Sequence, residues 1–118
     1  MKKVVIGSGS AFWGDMLEPA VEMAERSDVQ YIGFDHLAEL TMALLNRMKL
    51  RDPAKGYIPD IIPWMRKLLP ITVPKGIKML TNAGGALPAG LAVATNYYVI
   101  NASSNRISMR DINTYCMY

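Results

Sequence analysis

Residues 4–15 read VVIGSGSAFWGD. The apolar triplet Val4-Val5-Ile6 runs into a stretch with glycine at 7, 9 and 14. A continuous apolar run closed by glycine is the pattern of a buried parallel strand, so the spacing predicts a strand over Lys3–Ile6 and a glycine-rich loop after it. A dinucleotide fingerprint would need glycine at position 12, where Phe12 stands. A Walker A loop would need Gly-Lys-Ser/Thr, and residues 7–15 contain no lysine. Gly7, Ser8 and Gly9 remain candidate ligand-binding residues. Glycine lets a ligand approach the backbone, and successive N–H groups can line an anion nest. A plain tight turn accounts for the same residues. Phe12 and Trp13 are expected to tuck beneath the loop as core.

Working outward, the chain alternates between two periodicities. Asp15 with Glu18 three residues on has the spacing of a capping box, and Pro19 suits a first helical turn. Leu17, Ala20, Val21 and Ala24 form the apolar stripe of that helix. Val29 to Phe34 is β-branched and aromatic, and reads as a second strand ending at Asp35. Leu37, Leu40, Thr41, Leu44, Leu45 and Met48 recur at helical spacing, and Pro53 closes that helix. Ile58, Ile61, Ile62, Met65, Leu68 and Leu69 repeat the pattern, with Pro63 expected to kink or delay the helix. Pro70 and Pro74 are read as bracketing a connector before a third strand over Ile77–Thr81. Pro88 then opens a small-residue helix over Ala89–Ala94. This order predicts an α/β class: a three-layer, Rossmann-like parallel sheet with at least three strands.

Composition bounds the function. The chain has 118 residues, 51% hydrophobic and 19% charged, which is one small globular domain. Thirteen basic against ten acidic residues leave a net charge of +3 with no concentrated basic face, which argues against nucleic acid as partner. Arg47, Lys49, Arg51 and Lys55 read as cations at a helix C-terminus. No apolar stretch approaches the roughly 18 residues of a membrane span. A lone cysteine, Cys116, gives neither a disulfide framework nor a thiolate metal cluster, and fits a cytoplasmic chain. From Asn96 onward the chain lacks Gly, Pro, Lys, Leu and Glu and is rich in tyrosine and asparagine. Tyr97 to Ile100 could pair as a strand there.

Ligands of parallel sheets sit beyond the carboxyl ends of the strands. The expected site therefore gathers Gly7, Ser8 and Gly9, Asp35, and the Thr81–Gly85 turn with Asn82, Gly84 and Gly85. Asp35 stands where a Rossmann protein holds a ribose, and helix N-capping is the simpler account. Asn82 offers a donor and an acceptor. Thr81-Asn82-Ala83-Gly84 has the look of the short-chain dehydrogenase turn, but no tyrosine here has a lysine four residues later. His36 and Glu39 share a helical face, yet with one histidine in the chain the pair reads as capping rather than as a metal site. No nucleophile–base pair can be assembled.

Taken together, IGSGSAFWGD, PAVEMAERSDVQYIGFDHLAELTMALL, DPAKGYIPDIIPWMRKLLP and GIKMLTNAGGALP resemble the start of the acyclic terpene utilisation proteins of the AtuA type over residues 3–94. That family is linked to breakdown of acyclic isoprenoids such as citronellol and geraniol through acyl-CoA thioesters. The resemblance implies a cytoplasmic α/β domain, an enzyme or accessory that takes a branched acid or its CoA ester as small-molecule ligand. It supplies no catalytic residue and no cofactor. His36 departs from it, standing where an aromatic such as tyrosine is expected. Members of the family are several times longer, so residues 1–95 read as the N-terminal part of an AtuA-type domain. Residues 96–118 read as a divergent, weakly structured tail, from a truncated or frame-shifted reading frame. A sheet so shortened leaves an exposed edge and uncovered apolar surface, so aggregation or homo-oligomerisation is a hazard. The alternatives are a non-catalytic small-molecule or nucleotide-binding domain and a non-functional fragment.

Overall fold

A computed structural model describes residues 3–87, together with the backbone of residues 100–101 and 114–116. Three strands, β1 (Ile6–Ser10), β2 (Tyr31–Phe34) and β3 (Lys78–Thr81), lie side by side in that order and all run parallel. Two short strands continue the sheet beyond β3. β5 (Thr114–Cys116) pairs with β3, and β4 (Ile100–Asn101) pairs with β5, both parallel. The α/β parallel architecture read from the sequence is the one observed. The helix expected over Ala89–Ala94 and most of the 96–118 stretch lie outside the described residues.

The first strand starts later than its apolar triplet predicts. β1 is Ile6–Ser10, so most of the expected glycine-rich loop is strand. Val4 is 54% and Ile6 70% exposed, so the triplet is not the buried segment. What holds β1 in the sheet is its backbone ladder with β2, which needs no large side chain. The ladder slips between Ser8 and Ser10, and Gly9 is the extra residue of this irregularity.

Helix α1 (Glu18–Arg26) returns the chain from β1 to β2. Its N-cap is Leu17 with no side-chain cap, so the expected Asp15–Glu18 capping box is absent. Asp15 is used instead to close the loop before the helix, as described below. Pro19 sits in the first turn as expected, where no N–H is needed. Helix α2 (Glu39–Arg51) forms where the leucine periodicity predicts a helix, but only Leu45 is buried; Leu40 is 71% and Leu44 42% exposed. Helix α3 (Ile61–Lys75) runs through Pro70 and Pro74, so the expected connector is the last part of a helix. Each proline removes one helical hydrogen bond. Burial of Trp64, Met65, Leu68, Leu69 and Thr72 along the same helix offsets that loss. The helix ends at Gly76, in the left-handed conformation with φ 68°.

Both crossovers step the same way along the sheet, so right-handed connections place α1 and α3 on one face. The two helices pack on each other, and Lys75 Nζ donates to the carbonyl of Ala24 at 2.8 Å. Their layer buries the side chains that alternate on that face: Ile32 and Phe34 of β2 and Met79 of β3, against Ala20, Ala24, Met65 and Leu68. The opposite face carries Ile6, Ser8, Tyr31, Gly33, Lys78 and Leu80, which are exposed or half-buried. Among the described residues the sheet thus has one covered face and one open face.

Candidate functional site

The open face and the carboxyl ends of β1, β2 and β3 together form a trough of about 470 Å³. This is the size of a small-molecule site. Its floor is Ile6, Ser8, Gly33 and Leu80, and its rim at the strand ends is Ser10, Asp35 and Asn82. Gly33 keeps the floor low. A Cβ built there meets nothing within 4 Å.

The rim is held by hydrogen bonds between strand ends. Asn82 Oδ1 accepts the His36 N–H at 2.8 Å, and Asn82 Nδ2 donates to Asp35 Oδ1 at 2.7 Å. Ser10 Oγ donates to the Asp35 carbonyl at 3.3 Å, and the Asp35 N–H donates to the Ser10 carbonyl, also at 3.3 Å. Asp35 Oδ1 also takes the Leu37 N–H at 3.3 Å. The carboxylate therefore makes an Asx turn. It does not cap α2, whose N-cap is Ala38 without a side-chain cap.

Of the residues expected from sequence, Gly7, Ser8, Asp35 and Asn82 line the trough. Gly9, Gly84 and Gly85 lie elsewhere. A Cβ at Gly9 would press into the Phe34 ring and lie 2.8 Å from Ile32 Cγ2, on the helix-covered side. Gly84 is buried. Gly85 has φ 51°, and a Cβ there would sit 2.9 Å from the Gly56 carbonyl and against Leu45. Its N–H donates to the Asn82 carbonyl at 3.1 Å, and the turn packs onto the segment before α3 through Ala86 N–H to Gly56 O at 2.8 Å. Gly85 thus serves chain reversal and close packing. Ser10, whose hydroxyl belongs with that of Ser8 to the glycine-rich stretch, is also a rim residue, placed there by the β1 irregularity.

The loop over residues 11–17 closes on Asp15. Oδ2 accepts the Ala11 N–H and Oδ1 the Met16 N–H, both at 2.8 Å. These backbone bonds hold the Asp15 carboxyl below its ordinary value of 3.8, with smaller opposed contributions from burial and, in the same direction, from His36. Two N–H groups that a phosphate would need are thereby taken by a carboxylate. The expectation of both aromatics in the core is half right. Trp13 packs on the core and its Nε1 donates to Asp60 Oδ2 at 3.1 Å. Phe12 is turned outward, 57% exposed.

His36 neither caps a helix nor faces the trough. It is 2% exposed, stacks on Phe34 at 6.4 Å and meets the Trp64 ring edge-on at 5.3 Å. Neither ring nitrogen has a partner of hydrogen-bonding geometry. Burial pushes its pKa below the ordinary 6.5. The Phe12 carbonyl and the charges of Asp35, Asp60 and Asp15 pull weakly the other way. The imidazole is therefore neutral at pH 7. Among the described residues no group of three His, Cys, Asp or Glu side chains could hold a metal ion. No helix among them is long and apolar enough to cross a membrane.

The family model of the acyclic terpene utilisation family protein AtuA matches residues 4–108. The chain belongs to the AtuA family. The match extends beyond the resemblance over residues 3–94 and into the tyrosine-rich stretch. No curated protein and no solved structure matches the chain. Membership of the family suggests a role in acyclic terpene utilisation.

Proposed function

We propose that this AtuA-family chain serves acyclic terpene utilisation in the cytoplasm by holding a branched acyclic isoprenoid, as its acid or CoA ester, in the trough on the open sheet face. The observation that carries this reading is the trough itself. Its floor pairs apolar Ile6 and Leu80 with small Ser8 and Gly33, and Ser10, Asp35 and Asn82 gather at the strand ends. Such an arrangement suits a ligand with an apolar branched body and one polar head. The loop after β1 offers no phosphate cradle, because Asp15 takes the Ala11 and Met16 N–H groups.

Calorimetric titration with citronellic acid, its CoA ester, ATP and NAD tests this reading. Saturable binding of an isoprenoid form is expected, weakened about tenfold or more by Gly33→Val, which fills the floor. Binding of ATP or NAD alone would favour a nucleotide-binding module instead, and equal isoprenoid binding by Gly33→Val would remove the ligand from the trough.

A further inference from the structure

The charge and hydrogen-bond balance of the trough selects the form of the polar head. Among its described lining residues the one formal charge is the carboxylate of Asp35, and none is Lys or Arg; Lys78, on the same sheet face, sits over the Tyr31 ring at the amino end of β3. A ligand carboxylate buried at the rim would need a cation or two uncommitted N–H groups facing it. The donors at that end are already directed at Asp35. Asn82 Nδ2 donates to its side chain at 2.7 Å, and Ser10 Oγ to its carbonyl. In the loop after β1 the N–H groups of Ala11 and Met16 are held by Asp15, a second carboxylate. Among the described residues the rim therefore presents negative charge and acceptor oxygens. Ser8, exposed on the floor beside Gly33, supplies a hydroxyl that can donate to a carbonyl or accept from an alcohol.

We infer that the trough takes an isoprenoid whose head is uncharged, an ester, thioester or alcohol, and rejects the free carboxylate, with Asp35 as the residue that sets this preference. The inference rests on the proposed isoprenoid reading and narrows it. Asp35 acts at the rim by repelling a like charge, which close to a protein surface is worth several-fold in affinity. Replacing it with asparagine keeps an acceptor oxygen for Asn82 Nδ2 and the Leu37 N–H, so the clamp between β2 and β3 is retained while the charge is removed.

The test is a calorimetric titration of three probes, citronellic acid, its S-methyl thioester and citronellol, into the full chain and into Asp35→Asn at pH 7. The expected result is binding of thioester and alcohol, with the acid weaker by about fivefold or more. In Asp35→Asn the acid should gain about fivefold while the two neutral probes stay within about twofold. Thermal unfolding of both proteins confirms that the variant is folded; should Asp35→Asn not fold, the ionic-strength dependence of acid binding to the unaltered chain substitutes. Salt then strengthens acid binding if Asp35 repels it. Equal or tighter binding of the acid by the unaltered chain would overturn the inference and leave the isoprenoid reading intact. Failure of all three probes to bind would overturn both.

Discussion

Gly9 and Gly33 lie on neighbouring strands near one end of the sheet, yet they face opposite environments. Gly9 is pressed against Phe34 and Ile32 beneath the helix layer, whereas Gly33 opens onto empty space above the trough. The covered face is packed with Ile32, Phe34 and Met79, each 3% exposed or less. The open face has Ile6 at 70% exposure and a half-buried Leu80. Glycine is required on the first face because a side chain has no room. On the second face it leaves room for something else. A parallel sheet ordinarily needs both faces covered, so the face that the described residues leave open is where the proposed ligand would sit.

Substitutions on the two faces sharpen that contrast. The largest loss is expected from Ile32→Ala, which empties a fully buried site and should cost about 2–5 kcal/mol by chemical denaturation. Leu80→Ala on the open face should cost less than half as much. Gly9→Ala should cost about 1–3 kcal/mol, because Ile32 and Phe34 must move. Gly33→Ala should be neutral or stabilising by up to about 1 kcal/mol, since its Cβ meets nothing and the unfolded chain loses freedom. Equal costs for the two glycine variants would dissolve the distinction between the faces. Between these in size is Asn82→Ala, which frees the His36 N–H and Asp35 Oδ1 together. It should cost about 1–2 kcal/mol and weaken ligand binding, because the rim is no longer tied.

His36 provides a pH test of the covered face. Its folded-state pKa lies below 6.5, so as pH falls through 6.5 the unfolded chain takes the proton first. Stability is then complete above 6.5 and declines below it, by at most about 1.4 kcal/mol per pH unit, until the folded pKa is passed. His36→Phe should abolish that decline. It should also raise stability at pH 7 by about 1 kcal/mol, since two unpartnered buried nitrogens are replaced by ring carbons. An unchanged acid profile in His36→Phe would show that the decline belongs to other groups. Asp15 contributes at lower pH with the opposite chemistry. Its carboxylate stabilises the fold above 3.8, and that share is lost as pH falls through its lowered folded value.

The alternation of strands and helices was legible because periodicity reports which residues are regularly buried. β2 and β3 appeared close to their predicted ranges. β1 was displaced because Gly7, Ser8 and Gly9 carry no apolar signal, and backbone pairing alone makes them strand. In α2 the leucine spacing reports a helix but not what covers it, and Leu40 faces water. In α3 the prolines at 70 and 74 have the sequence signature of breaks, whereas the buried face on both sides of Pro70 carries the helix through. At the site, Asp35 and Asn82 could be named as candidates from topology. Their clamp could not, because they are 47 residues apart and their pairing depends on the register of β2 with β3.

The most direct test of a ligand space on the open face is a residue-resolved NMR titration of backbone amides with the S-methyl thioester of citronellic acid. The account expects saturable shifts centred on Ser8, Gly33, Asp35 and Leu80, with Leu45, Met65 and Leu68 unmoved. Shifts centred on the helix-covered side, or none at saturating ligand, would contradict it.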